Sequence, residues 1–403
     1  MSDHVVIGVA IGLGLIVALT LMFARFARSE SWLATVTPLA SIIGSGFLIC
    51  GPLLAREFGA LAAPAMIALL LLAYGVGSIV RFNIAAAEPY LTEARFNDPV
   101  AWTARVAQGV LAAAYAVSVA YYLKLLAMFI LRAVHSESEL LANVIVTAII
   151  AVLTALAFTG GLRRVERVAD ASVSLKLGLI AGMLAALALD WIRTAGPETL
   201  PPVNVSWNSV LLLLGLLITV QGFETSRYMG ESYDRKTRIR TMRNAQLISS
   251  VIYVLFLVLL TPRLGQAAGT EGVAGVLDVM ESVAPFLGAF VLAAAVTSQL
   301  SAAVADSIGS TGLAIELSRQ RLTVATGFLL AGALAILVTW TTDSFQVIAV
   351  ASRAFALFYA FQCAIAFIIG RKEGKAGPVQ LTFFAVVGAL CILAAAAGAP
   401  AEG

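Results

Sequence analysis

Charged residues are scarce in this chain. Of its 403 residues only 12% are Asp, Glu, Lys or Arg, about half the share expected of a soluble globular domain. Hydrophobic residues make up 60%, and the mean hydropathy is +0.95. The formal net charge is +3, and no basic face with interleaved aromatics predicts a nucleic-acid partner. This composition argues against a water-soluble domain and indicates a protein that lies in a lipid bilayer.

The residue types that most catalytic and metal sites need are also rare. The three cysteines, Cys50, Cys363 and Cys391, lie in apolar runs without CxxC spacing, and the two histidines are His4 and His135. This pattern argues against a disulfide framework and a zinc site. The sequence also lacks a GxSxG elbow, a P-loop and haem-binding spacing. We therefore expect neither an enzyme nor a bound cofactor.

Long apolar runs follow one another almost without a gap from Val5 to Ala399. A bilayer core about 30 Å thick is crossed by about 20 residues of helix. The runs are continuous and lack the alternation of outer-membrane strands, which favours helices over a barrel. The sequence therefore predicts an all-α integral membrane protein of about twelve transmembrane helices. The predicted segments are 5–24, 33–55, 59–82, 101–131, 140–160, 168–192, 207–230, 244–262, 283–315, 322–341, 345–370 and 378–399.

The basic residues of the loops predict the orientation of these helices. With both termini outside the cytoplasm, eighteen Lys and Arg residues fall in cytoplasmic loops and four in external loops. We expect a bacterial inner-membrane protein with this topology. Residues 5–24 have the alternative interpretation of a secretory signal, but they follow Asp3 in place of a basic region and form a long run, which favours a retained helix.

Glycines interrupt two of the predicted helices near their middle. Gly44 and Gly46 flank Ser45 in the first, and the sequence QGFET at 221–225 lies inside the second. The first pair alone indicates only that two helices pack closely. Two interruptions at corresponding positions predict a transporter built of inverted repeats, with its cargo at the bilayer midplane. The predicted substrate-binding residues are Ile43, Gly44, Ser45, Gly46, Gln221, Gly222, Phe223 and Glu224.

At these residues the chain resembles the amino acid, polyamine and organocation (APC) superfamily. The G-S-G sequence at 44–46, followed by Phe47 and Pro52, is similar to the motif of its first core helix, with the aromatic shifted by one position. The G-F-E sequence at 222–224, followed by Glu231 and the basic run 235–243, is similar to its sixth. The resemblance implies a LeuT-type fold, a 5+5 inverted repeat with broken first and sixth core helices. The implied units are an extra helix in 1–30, repeats in 31–200 and 201–372, and a C-terminal helix in 373–403.

The fifth core helix carries a third resemblance. The sequence RVAD at 167–170, followed by Lys176, is similar to the start of that helix in sodium-independent amino acid transporters, where a lysine takes the place of a sodium ion. The resemblance implies that the Lys176 ammonium lies against the first interruption and the eighth core helix. Its implied partners are the carbonyls near Ile43 and Gly44 and the hydroxyls of Ser298 and Ser301.

Lys176 and Glu224 are the predicted ion-coupling groups. A buried lysine or carboxylate that gains and loses a proton couples cargo movement to a proton gradient. For Lys176 the alternative is a side chain that snorkels to the cytoplasmic interface. For Glu224 the alternatives are an ion pair with Arg227 or Arg353, or contact with a cationic substrate amine. Arg353 has a further possible partner in Asp306.

These features lead us to expect a secondary active transporter for amino acids or related small organic amines, proton-coupled and sodium-independent. Its expected partners are the small-molecule substrate, protons and the lipid bilayer. Amino acid exchange, or another small solute, is the alternative within the same class. A channel or structural membrane protein is the alternative from another class, and it explains the hydropathy but not the paired interruptions.

Overall fold

The computed structural model describes residues 3–44, 46–93, 98–136, 138–160, 173–194, 200–203, 205–230, 233–270 and 275–399. All regular structure in these ranges is helical. Their α-helices are α1 (Asp3–Phe23), α2 (Glu30–Ile42), α3 (Gly46–Phe58), α4 (Ala62–Phe82), α5 (Glu88–Glu93), α6 (Pro99–Ala133), α7 (Glu139–Gly160), α8 (Val173–Arg193), α9 (Trp207–Gly215), α10 (Arg235–Leu259), α11 (Leu264–Ala268), α12 (Val276–Val283), α13 (Leu287–Leu317), α14 (Val324–Thr341), α15 (Gln346–Lys372) and α16 (Pro378–Ala397).

Ten stretches of the described chain are long and apolar enough to cross a membrane by length and composition, against twelve predicted segments. The difference lies in the two predicted helices that the structure shows broken. The first consists of α2 and α3, and α3 together with α4 and α5 counts as one stretch, residues 46–91. The second begins with α9, which has only 9 residues. The predicted all-helical membrane fold with two broken helices is confirmed.

Helix α6 is the central element of the fold. It is buried over most of its length and packs against α13 and α15, while α10 packs against α2 and α4. The two broken helices lie between these elements, since α2 and α3 contact α10 and the second broken helix contacts α15. The long unbroken helices therefore form a scaffold around the two interruptions. The predicted division into two repeats at residue 200 stays a prediction.

The extra N-terminal helix α1 is an integral part of the bundle. Its buried residues, Val6, Ala10, Gly14 and Ala18, recur every four positions and form one narrow stripe that packs against α8. Small residues in such a stripe allow two helix backbones to approach closely, and van der Waals packing then stabilises the pair within lipid. An ion pair between Arg193 and Asp3, at 2.8 Å, joins the same two helices at one end.

Because α1 and α8 are in close contact, substitution of a glycine inside the contact should cost much more stability than substitution of a glycine outside it. A Cβ atom on Gly178 would lie 2.5 Å from the Gly14 carbonyl oxygen and 2.7 Å from Ala18 Cβ. We expect Gly178→Val to destabilise the protein by about 1–3 kcal/mol, because the backbones must separate. Thermal unfolding in detergent measures the loss. Gly12→Val is the matched control, since nothing lies within 4 Å of its Cβ position, and an equal loss there would contradict the packing argument.

Candidate functional site

The first interruption separates α2 from α3. Helix α2 ends at Ile42, and Ile43 adopts φ −81° and ψ 63°, outside the helical region. Ser45 lies outside the described residues, so the structure says nothing of its predicted role. The Ile42 and Ile43 carbonyls accept hydrogen bonds from the hydroxyls of Tyr253, at 3.0 Å, and Ser298, at 3.1 Å. Side chains thus replace the helical partners that these carbonyls lack.

The second interruption follows α9. After Gly215 the chain forms a 3₁₀ turn (Leu217–Val220), an extended residue at Gln221, a left-handed glycine at Gly222 with φ +117°, and a second 3₁₀ turn (Phe223–Tyr228). Consecutive β-branched residues at 218–220 are weak helix formers, and glycine permits the positive φ. The break in this helix therefore follows from local sequence.

The two interruptions are in direct contact. A Cβ atom on Gly222 would lie 2.7 Å from the Ile42 nitrogen, and one on Gly46 would lie 3.0 Å from Thr219 Cα. The Tyr253 hydroxyl, which donates to the Ile42 carbonyl, also lies within hydrogen-bond reach of the Thr219 carbonyl. The predicted residues of the two segments, 178 positions apart in sequence, are thus brought to one place.

Lys176 is fully buried, and its ammonium donates to the Ala40 carbonyl at 2.7 Å. The Ala40 carbonyl lies in the last turn of α2, three residues before Ile43. Carbonyls at a helix C-terminus lack the donors of a following turn, so this one is open to the ammonium. Ser298 binds the Ile43 carbonyl, and Ser301 donates to the Ser298 carbonyl at 2.9 Å, so neither hydroxyl is a described partner of Lys176. The side chain does not reach the surface in the manner of a snorkelling lysine.

Glu224 lies at the centre of a group of donors. Its Oε2 accepts from the Gly222 amide at 3.0 Å and from the Tyr359 hydroxyl at 2.8 Å, and its Oε1 accepts from the Tyr115 hydroxyl at 3.5 Å. The ring of Phe223 stacks on Tyr359 with centroids 5.4 Å apart. Within the described part of the chain Glu224 forms no ion pair.

The arginines considered as partners of Glu224 bind elsewhere. Arg227 donates to the Gln362 side chain, and Arg353 donates to the Gly398 carbonyl at 2.8 Å. The possible ion pair between Arg353 and Asp306 is therefore not formed. Arg353 lies near the start of α15 and binds the carbonyl of the residue that follows the C-terminal helix. Asp306 instead contacts Ser118 of α6.

Two further polar residues, Gln221 and Tyr122, lie beside the two interruptions. Gln221 donates from its side-chain amide to the Tyr122 hydroxyl at 3.1 Å, and a Cβ atom on Gly44 would lie 3.0 Å from the Tyr122 ring. Lys124 points away from this site, because its ammonium binds the Thr339 carbonyl and Glu139, at 3.2 Å and 3.1 Å.

A cavity of about 530 Å³ lies beside the end of α2. It lies between α2, α8 and α13, and its lining includes Ala40, whose carbonyl binds the Lys176 ammonium. A second cleft, of about 600 Å³, lies between α5, α6 and the end of the second interruption.

The second cleft contains a paired arginine, Arg238 of α10. It donates to both carboxylate oxygens of Glu88, at 2.9 Å and 2.7 Å, and to the Arg227 carbonyl at 2.8 Å. This arrangement ties α10 to α5 and to the second interruption. We expect Arg238→Ala to lower the unfolding free energy by about 1–3 kcal/mol. Thermal unfolding in detergent tests this, with exposed Lys236→Ala as the control that should lose much less; equal losses would contradict the proposed tie.

Comparisons with known proteins agree with this architecture. A family model described as "APC superfamily transporter" matches residues 24–398. A protein of Aquifex aeolicus (strain VF5), described as uncharacterized, is 33% identical over 357 residues, covering 86% of each chain.

Two solved structures share the fold at low sequence identity. A Na⁺-coupled sialic acid symporter, in a substrate-bound outward-open state, is 16% identical with a TM-score of 0.52, covering 99% of this chain and 98% of its own. A manganese transporter of Eremococcus coleocola is 12% identical with a TM-score of 0.60, covering 93% of this chain and 87% of its own. Because the family model spans nearly the whole chain, the protein belongs to the APC superfamily of membrane transporters.

Proposed function

We propose that this protein is a secondary active transporter for amino acids or related small organic amines, and that it is proton-coupled and sodium-independent. The observation that carries the proposal is the contact between the two interruptions beside a buried lysine and a buried carboxylate. Unwound backbone at such a contact offers amide and carbonyl groups to a small zwitterion. In the proposed cycle the two broken helices tilt against the scaffold around the bound cargo and expose it to each side in turn.

The surroundings of Glu224 favour a cargo with an amine. A carboxylate provides charge for an ammonium, and aromatic faces attract cations. Tyr115, Phe355 and Tyr359 form a continuous aromatic group around this carboxylate, with ring centroids 5.6 Å and 6.2 Å apart. Backbone at 43–46 and 221–224 is the proposed contact for the cargo carboxylate, because the N-terminus of α3 carries partial positive charge.

The position of Lys176 supports sodium independence. Its ammonium binds a carbonyl next to the first interruption, where a cation neutralises the partial negative charge at the C-terminus of α2. A lysine that is always present in the chain removes the need for a sodium ion there. Because burial disfavours the charged form, this group is also suited to exchange a proton during the cycle.

Reconstitution in liposomes tests the proposal. Radiolabelled amino acids, amines and nucleobases are offered under an imposed pH gradient, with and without sodium. We expect saturable uptake of at least one amino acid or amine, driven by the proton gradient and unchanged when sodium is replaced by choline. Uptake that demands sodium would refute sodium independence. Uptake only against internal substrate would establish exchange, and single-channel currents without saturable uptake would establish a channel.

A further inference from the structure

A second buried carboxylate lies near Glu224. Asp306 on α13 is 1% exposed, and it contacts the same face of α6 as Glu224 does. Ser118 is the contact for Asp306, and Tyr115, one turn away on α6, is the contact for Glu224. Two carboxylates in one dry cluster are hard to keep ionised together, because each disfavours the charge on the other. The hydrogen bonds around them indicate which one carries a proton.

The Ser118 hydroxyl has one hydrogen and two oxygen neighbours. Its Oγ lies 2.8 Å from the Tyr115 carbonyl, the usual bond of a helical serine to the turn before it, and it also contacts Asp306 Oδ2. A carbonyl and an ionised carboxylate both only accept hydrogen bonds, and one hydroxyl cannot fully serve both. A protonated Asp306 satisfies both contacts, because it donates to Ser118, which donates to the Tyr115 carbonyl.

The contacts of Glu224 are of the opposite kind. Its two oxygens accept hydrogen bonds from three donors, which are the Gly222 amide and the hydroxyls of Tyr359 and Tyr115. Such a set matches an ionised carboxylate. Asp306 has no comparable set, since its Oδ1 has no hydrogen-bond partner in the described structure. The single proton that the pair needs therefore belongs on Asp306.

Among the residues that the structure describes, none around α13 brings a cation to Asp306. From α6 it is faced by Tyr115 and Tyr122, and from the second interruption by Glu224. Four other helices pack against α13. Helix α8 contributes Lys176, whose ammonium is bound to the Ala40 carbonyl, and α14 contains no titratable side chain. The titratable residues of the other two are acidic: Glu30 at the exposed start of α2, and Asp278 and Glu281 in α12, near the distant start of α13.

We propose that Asp306 holds a proton in this conformation and is a proton-carrying residue of the transport cycle, a second one beside Lys176. Glu224 is then the ionised carboxylate of the pair, and its negative charge is the one that the proposed function assigns to a cargo amine. The carrying role rests on the proposed function, whereas the protonated state of Asp306 does not. The chemistry involves only a proton, which is held on Asp306 Oδ2 by the Ser118 hydroxyl and exchanges with water when the site opens.

The difference between infrared spectra recorded in H₂O and in D₂O, on the full chain in lipid at neutral pH, tests whether Asp306 is protonated and requires no transport measurement. We expect the C=O stretching band of a carboxylic acid, shifted by D₂O, in the wild type and in Glu224→Gln, and its loss in Asp306→Asn. A band that survives Asp306→Asn, or no band in the wild type, overturns the proposal. If Asp306→Asn does not fold, Ser118→Ala decides: loss of the acceptor must shift the band, and an unchanged frequency overturns the proposal.

The carrying role is tested in liposomes with the cargo found for the wild type. We expect Asp306→Asn to lose accumulation driven by a pH gradient and to retain counterflow between equal pools of cargo, because counterflow needs no net proton movement. Gradient-driven accumulation equal to the wild type overturns the carrying role. Failure of the proposed function looks different: the wild type then accumulates no amine at all, while the infrared assignment of Asp306 stands.

Discussion

Replacing Gly222 with alanine is expected to cause a large loss of solute uptake in liposomes. Gly222 has φ +117°, which L-residues rarely adopt, and an added Cβ would lie 2.7 Å from the Ile42 nitrogen. The backbone strain alone amounts to about 1–3 kcal/mol, and the neighbour is backbone that cannot rotate away. Relief of the clash must separate the two interruptions, so we expect uptake to fall by about tenfold or more.

Gly75→Ala is the matched control for this experiment. Gly75 is also buried, but it lies within α4, and its Cβ would meet the Phe383 ring at 3.5 Å, an ordinary van der Waals contact. We expect wild-type uptake from this variant. Size-exclusion chromatography in detergent should show both variants assembled. Wild-type uptake by Gly222→Ala would mean that close contact of the interruptions is not needed for transport.

Replacing Lys176 with alanine is expected to uncouple uptake from the pH gradient. The substitution removes the ammonium from the Ala40 carbonyl and leaves that buried carbonyl without its donor, a loss of about 1–3 kcal/mol in stability. In the proposed cycle it also removes a proton-exchanging group beside the first interruption. We therefore expect the initial rate of uptake to lose its dependence on the pH gradient, as measured with labelled cargo at several external pH values.

Lys124→Gln is the control for this experiment, because it removes a buried lysine that lies away from the interruptions. Lys124 is as fully buried as Lys176, but it binds Glu139 and the end of α14, away from the interruptions. We expect this variant to be less stable and to keep its response to the pH gradient. Should Lys176→Ala keep that response while requiring no sodium, proton exchange at Lys176 would be excluded, and Asp306 would be left as the coupling group.

The positions of the interruptions were predictable from the sequence because their cause is local. Glycine lowers helix stability wherever it occurs, and Gly222 needs a backbone conformation that other residues avoid. The signal for Glu224 was its place inside such a segment. The contact of Asp306 with Ser118 was not predictable, because Ser118 lies 188 positions away on another helix. In uniformly apolar spans the sequence leaves open which face of a helix meets its neighbour.

The exact contact of Lys176 was also not predictable from the sequence. The resemblance implied carbonyls near Ile43 and Gly44, whereas the Lys176 ammonium binds the Ala40 carbonyl, about one helical turn earlier, because its depth depends on the position of α8 in the bundle. The extra helix α1 constrains the position of α8, because its small residues pack against Gly178 and Gly182, close to Lys176 along α8. No pattern in the sequence of either helix alone encodes this register.

Composition and local propensity by themselves determined that this chain is a helical membrane protein with two broken helices. Hydrophobic length sets which segments remain in lipid, and glycine and β-branched residues set where a helix opens. Only the tertiary structure decided that the two openings touch and that Tyr253 lies between their carbonyls. It also decided that Lys176, Glu224 and Asp306 surround them. Those choices depend on rotations and shifts of whole helices, which packing between distant parts of the chain selects.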